Sequence, residues 1–170
     1  MTPTIREERP TDIVAVRAIN LAAFPTEAEA NLVDAIRGNG NATLSLVATD
    51  GDRVVGHILF SPVTVDSNPG GLMMVGLAPM AVLPELQRQG VGSSLVEAGL
   101  ERCREMGVAA VVVLGHDEYY PRFGFEVASG HGIGCEYDVP ERYFMVVGLK
   151  RGVLEGVSGV VRYLGEFGGV

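Results

Sequence analysis

Two cysteines in 170 residues, Cys103 and Cys135, are too few for a disulfide framework. Neither has a Cys or His neighbour at metal-ligand spacing, so no zinc or other metal is expected. No run approaches the roughly 20 apolar residues of a membrane span, which excludes a spanning helix. Residues 1–8 carry no apolar leader, so the expected location is the cytoplasm. Positive charge is scarce: 13 Lys and Arg stand against 21 Asp and Glu, for a formal net charge of −8. That balance disfavours a nucleic-acid partner, which usually needs a basic face. It suits a cationic small molecule, but an acidic surface is also an ordinary solubility device, and that reading takes the larger share. Repeats, linkers and low-complexity tracts are missing as well.

What is present fits one globular domain. Hydrophobic residues make up 47% and charged residues 20%. A chain of this length buries roughly 70% of the surface exposed by its unfolded form, enough for a core without staples. The pattern alternates between helical and strand periods, which predicts an α/β (α+β) class. Residues 4–9 read as a first strand. Pro10-Thr11-Asp12 reads as a helix start with Thr11 as N-cap, followed by Ile13, Val16, Ile19 and Ala23 at helical spacing. Pro25 and Thr26 break that helix and open a second, whose apolar face is Ala28, Leu32, Ala35 and Ile36 and which Gly38 ends.

Strands are expected over 44–49, 53–65 and 72–83, with turns at Asp50-Gly51-Asp52 and Asn68-Pro69-Gly70-Gly71. The third reads as central to the sheet. A helix over 92–106 buries Leu95, Val96, Gly99, Leu100 and Cys103 and stops at Gly107. The β-branched run 109–114 reads as a buried parallel strand. A loop with a short helix covers 115–123, and a last clear strand covers 142–149. The Gly-rich final twenty residues contain Val160, Val161, Tyr163 and Phe167, which suggests one more strand.

The most informative segment runs from Met80 through Pro84, Arg88, Gln89, Gly90, Val91 and Gly92 to Ser93 and Ser94. It reads as strand, short loop, helix. Glycines at 90 and 92 let the backbone approach a ligand closely. The N–H groups of residues 90–93 would be the free donors of a helix start, where the dipole adds about half a positive charge. That arrangement suits a pyrophosphate, and Arg88 could add a charge-assisted contact. Two glycines alone would equally fit an ordinary turn. No Gly-Lys-Ser/Thr is present, and position 95 is Leu, so the segment is neither a P-loop nor a full dinucleotide fingerprint.

Here the sequence resembles the GNAT superfamily of N-acetyltransferases. Gln87-x-x-Gly90-x-Gly92 matches that family's Gln/Arg-x-x-Gly-x-Gly/Ala loop, and Tyr120-Pro121-Arg122-Phe123-Gly124-Phe125 matches its downstream Tyr-x-x-x-Gly-Phe segment. Gly76-Leu77-Ala78-Pro79, Val113-Leu114-Gly115-His116 and Gly156-Val157-Ser158-Gly159 are similar to a bacterial branch of acetyltransferases with undefined acceptors. The resemblance covers the chain to about Lys150. It implies a mixed, mostly antiparallel sheet with a parallel central strand pair, flanked by helices. Residues 1–150 would form the acetyltransferase domain and 151–170 a C-terminal extension of it. The resemblance further implies acetyl-CoA as co-substrate and an amine acceptor. Met80, Ala81 and Val82 would lie along the pantetheine arm, on a strand that splays from the next. Arg88, Gln89, Gly90, Val91, Gly92 and Ser93 would hold the pyrophosphate. A homodimer is compatible with families of this kind.

Amine attack on a thioester needs a base for the ammonium, a donor for the oxyanion and an acid for the leaving thiolate. Tyr120 is expected to be the acid, because a phenol stays protonated at neutral pH. Packing alone would also explain Tyr119 and Tyr120 at a helix end. A backbone N–H near Val82 would serve the oxyanion. Many GNAT members carry a Glu on the strand before the tyrosine; here Val111-Val112-Val113-Leu114-Gly115 has no carboxylate. His116 is the next candidate base, with Asp117, Glu118, His57 or a water chain as alternatives. His131 sits between glycines as a loop residue. Glu27 and Glu29 suit a helix start and could also attract a cation. Cys103 has no His partner, which argues against a thiol nucleophile. The missing carboxylate keeps open an acyl-CoA-binding sensor or partner protein with little catalysis.

Overall fold

The computed structural model describes residues 2–169. Among them are nine β-strands and three α-helices. In chain order these are β1 (Thr4–Glu7), α1 (Ile13–Ala23), α2 (Ala28–Gly38), β2 (Leu44–Asp50), β3 (Arg53–Ser67), β4 (Met74–Val82), α3 (Val91–Glu105), β5 (Ala110–Leu114), β6 (Glu126–Val127), β7 (Ile133–Cys135), β8 (Phe144–Gly148) and β9 (Ser158–Arg162). The strand order is β1-β2-β3-β4-β5-β8-β6, with β9 beside β3 and β7. Most pairings are antiparallel; β4 with β5 is the expected parallel pair, and β7 with β9 is a second one. The chain divides into two compact units. The first holds the chain up to Ser61, Ala78–Gly99 and the end of the chain from Gly165; the second holds Pro62–Leu77 and Leu100–Leu164.

In the first unit, β1 pairs with β2 from Thr4↔Thr49 to Glu7↔Leu46, and β2 pairs with β3 from Leu44↔Phe60 to Asp50↔Arg53. The β2–β3 register slips at Ala48/Thr49, a bulge before the tight turn. Residues 55–61 are buried in an unbroken run, as expected of strand covered on both faces. Gly56 explains one covering: a Cβ there would sit 3.1 Å from side-chain atoms of Leu95 and Val91 on α3. Helices α1 and α2 bury Val16, Ile19, Leu32, Val33 and Ile36.

Two local expectations fail here. Thr11 is exposed inside a short 3-10 turn, Pro10–Asp12, and does not cap α1. Asp12 stands at that position, and its carboxylate makes no bond to α1 but ties the preceding turn to β1. It accepts Arg9 N–H at 2.7 Å and a fork from Arg6 at 2.7 and 3.0 Å. On α2, Ala35 faces solvent while Ala30 and Val33 are buried, so the apolar stripe lies rotated from the expected one.

In the second unit, the β4–β5 register spans three pairs, Met74↔Ala110 to Gly76↔Val112. β5 stays paired with β8 to its last residue, Leu114↔Phe144. The parallel ladder thus stops before β5 does. A core of Val63, Met74, Val112, Ile133, Phe144, Val146 and Val161 covers one face. The chain end supplies β9, as expected, and Tyr163 after it. Its ring lies over Gly76, where a Cβ would come within 2.7 Å of Cε2. No helix of the described residues is long and apolar enough to cross a membrane.

Candidate active site

The β4–α3 connection is built mostly from backbone. Leu83 N–H donates to the Val55 carbonyl at 3.0 Å, so this end of β4 lies against β3. A 3-10 turn, Pro84–Leu86, follows. Gln87 then folds back, and its Nε2 donates to the Val82 carbonyl at 3.0 Å. In the sequence Gln87 is only a motif position; its visible task is to tie the loop to the strand that precedes it. Arg88 (φ 63°) and Gly90 (φ 90°) are both left-handed, which swings the chain from the extended Gln87 into the helix that starts at Val91. A left-handed non-glycine costs roughly 1–3 kcal/mol, so Arg88 is held there by its surroundings.

The helix starts at Val91, one residue earlier than expected. Ser94 N–H donates to the Gly90 carbonyl at 3.0 Å, so the N–H groups of Val91, Gly92 and Ser93 precede the helical ladder. Nothing lies within 4 Å of where a Gly90 Cβ would stand. That open space, the exposed Arg88 and the helix dipole fit a diphosphate. The side chains of Ala81, Val82 and Val91 are buried, whereas Met80 and Gln89 are more accessible.

The loop after β5 is built from side chains. Gly115 N–H donates to the Tyr143 carbonyl at 3.0 Å. The His116 carbonyl accepts from Tyr119 N–H at 3.1 Å and Tyr120 N–H at 3.4 Å, closing the turn that launches Tyr120–Phe123. The Tyr120 ring covers Gly115, where any Cβ would collide with it. Tyr119 and Phe125 meet that ring edge-on, at centroid distances of 5.0 and 5.6 Å. Gly124 (φ 93°) reverses the chain and delivers Phe125. Tyr120 is 8% exposed, and burial pushes its phenol up to about 12, so it is protonated at neutral pH. His116, Asp117 and Glu118 are exposed, and Asp117 pairs with Arg142 at 3.6 Å.

His57 is fully buried on β3. Its Nε2 lies 2.8 Å from Ser45 Oγ and 3.6 Å from Glu8 Oε2, and Glu8 also bonds Ser45 and Arg37. Burial holds the imidazole below its usual value against the pull of Glu8, so it is neutral at pH 7. Burial alone would raise the Glu8 carboxyl. The approach of His57, the Ser45 hydrogen bond and the Arg37 charge bring it instead to about 2. Serine and carboxylate share one ring nitrogen here, so this is not a nucleophile triad, which needs them on opposite nitrogens. The sequence offered no hint of the cluster beyond His57, because its members come from three separate segments.

The remaining candidates have other settings. His131 lies 3.3 Å from Glu126 at the surface. Cys103 is buried, which pushes its thiol up to about 12 and makes it a poor nucleophile. Glu27 immediately precedes α2 and Glu29 lies in its first turn, where acids favour the dipole. No group of three His, Cys, Asp or Glu among the described residues could hold a metal ion.

Residues 4–128 match the acetyltransferase (GNAT) domain model. An uncharacterized N-acetyltransferase of Escherichia coli K12, YhbS, is 42% identical over 164 residues, covering 96% of this chain and 97% of its own. The crystal structure of Escherichia coli YhbS in complex with CoA superposes with a TM-score of 0.92 at 41% identity, over 98% of this chain and 92% of that one. A GNAT-family acetyltransferase from Brucella melitensis in complex with acetyl-CoA gives 0.79 at 34% identity, over 98% of both chains.

Proposed function

The chain belongs to the GNAT acetyltransferase family, and on that premise we propose that it transfers an acetyl group from acetyl-CoA to an amine by direct attack in a ternary complex. The carrying observation is the open, left-handed Arg88–Gly90 turn at the N-terminus of α3. CoA and acetyl-CoA in the two similar crystal structures support the same reading. The N–H groups of residues 90–93 and the Arg88 guanidinium hold the diphosphate; Gln89 lines the loop. Backbone groups of Met80, Ala81 and Val82 run along the pantetheine arm. That the β4–β5 ladder ends at Gly76↔Val112 supports a splayed strand with backbone to spare. The segment after residue 150 acts as part of the same domain, since β9 pairs with β3 and β7.

Tyr120 donates its phenolic proton to the thiolate as it leaves. A backbone N–H near Val82 meets the developing oxyanion. Two histidines qualify for the ammonium proton: His116, exposed and four residues before Tyr120, and His57, buried on β3. The acceptor is an amine of a small molecule or a protein.

The test is a thiol-release assay with acetyl-CoA against a broad amine panel, with product confirmed by mass. Turnover with any amine, lost in Tyr120→Phe, supports the reading. Tight acetyl-CoA binding with no turnover on any amine would instead leave the acyl-CoA sensor, the reading motivated by the carboxylate-free β5.

A further inference from the structure

We infer that Tyr119 is the positioning residue of the acid: its ring sets where the Tyr120 hydroxyl stands, and it acts on turnover through that hydroxyl. The inference rests on the acetyltransferase reading above, in which Tyr120 protonates the leaving thiolate.

A phenol in that role must hold its oxygen within hydrogen-bond reach of the sulfur. A misplacement of about 1 Å can cost roughly a hundredfold in rate. Rotation of the ring about its own long axis leaves the oxygen in place, whereas a swing about Cα–Cβ carries it away. Three neighbours oppose that swing. A Cβ on Gly115 would stand 2.2 Å from Tyr120 Cε2, 2.8 Å from Cδ2 and 3.3 Å from Cζ, so Gly115 follows one side of the ring up to the hydroxyl-bearing carbon. Phe125 meets the ring at 5.6 Å between centroids and 74° between planes. Tyr119 meets it at 5.0 Å and 85°, the edge-to-face arrangement that aromatic pairs prefer.

The three neighbours are not equivalent. Gly115 is fixed by its N–H bond to the Tyr143 carbonyl, and Phe125 is 2% exposed behind the Gly124 reversal. Both belong to the frame of the fold. Tyr119 is only half-buried and lies outside the core, yet two further side chains hold it. Phe123 packs on it at 5.3 Å and 67°, and the Arg122 guanidinium stands over its ring at 5.1 Å from the centroid. The His116 carbonyl accepts the N–H groups of both Tyr119 and Tyr120, so the two rings rise from one turn. Phe123 and Arg122 thus hold Tyr119, and Tyr119 holds the acid. Burial keeps the Tyr120 phenol protonated, and the neighbouring Tyr119 adds to that effect. Because Tyr119 is half in solvent, replacing it disturbs the core little, which separates a positioning role from a packing role.

The test is a double-mutant cycle run with an amine found in the panel. Tyr119→Leu removes the ring but keeps an apolar side chain; it is expected to lower kcat about tenfold and to leave acetyl-CoA affinity unchanged. Tyr119→Phe keeps the ring and is expected to restore most of that loss. In the Tyr120→Phe background, Tyr119→Leu is expected to cause no further loss, since no hydroxyl remains to be misplaced. An equal loss in both backgrounds, or a lower Tm with kcat unchanged, overturns the inference and makes Tyr119 a packing residue. Full activity in Tyr120→Phe would instead remove the acid from the reading beneath. A readout that needs no acceptor is the nuclear Overhauser contact between the Tyr120 ring and the Gly115 Hα in the resting protein. It is expected in wild type and Tyr119→Phe and weakened in Tyr119→Leu; an unchanged contact in Tyr119→Leu overturns the inference. Wild type that acetylates no amine would sink the acetyltransferase reading, which the Overhauser contact does not depend on.

Discussion

Gly90 and Gly115 do opposite jobs. At Gly90 the space that a side chain would fill is open, and the backbone is left-handed. At Gly115 that space is taken by the Tyr120 ring. The first glycine leaves room for something outside the protein; the second makes room for a side chain within it. On the acetyltransferase reading proposed above, the first loop serves the diphosphate and the second carries the reacting group. Both segments carry family motif residues, and only the surroundings tell the two uses apart.

The contrast predicts separable failures. Tyr120→Phe should give the largest effect, a fall in turnover of roughly a hundredfold or more, because a positioned general acid is worth about that. Acetyl-CoA affinity should stay within about twofold, measured by calorimetry; unchanged turnover would remove Tyr120 from the mechanism. Gly115→Ala should come next. The added methyl must displace the Tyr120 ring, and overpacking of this kind costs about 1–3 kcal/mol. Thermal unfolding and turnover should fall together while acetyl-CoA binding survives. If neither moves, the ring is not seated as described.

The smallest effect concerns acid stability in the cluster around Glu8. Its folded pKa, about 2, lies below its ordinary value, so the stabilisation is complete above that ordinary value. It is lost as pH falls from about 4.5 toward 2. Chemical unfolding across that window should show a slope that Glu8→Gln flattens; an unchanged slope would mean that Glu8 is not held ionised by its partners.

Much of the fold was legible because its signals are local. The β-branched run before Leu114, the Asp50–Arg53 turn and the Gly107 helix stop (φ 88°) each declare themselves in a few residues. The loop between β4 and α3 was legible for the same reason. The misses depend on distant partners. Asp12, not Thr11, precedes α1, and its carboxylate is taken up by Arg6 from β1, a partner six residues away. Ala35 turns outward because Ala30 and Val33 face the core in its place. Gln87 could be read as a motif position, but its bond to Val82 needs the loop's curvature. The Glu8–Ser45–His57 cluster joins residues 37 and 12 positions apart, and no pattern in the sequence announces it.

The most direct test of the β4–α3 loop is one calorimetric titration: acetyl-CoA into wild type and into Gly90→Leu, with NAD as the control ligand. The open turn predicts selective acetyl-CoA binding by wild type, weakened at least tenfold in Gly90→Leu while Tyr120→Phe binds normally. No binding by wild type at millimolar acetyl-CoA, or equal binding by Gly90→Leu, would contradict the assignment of this loop to the diphosphate.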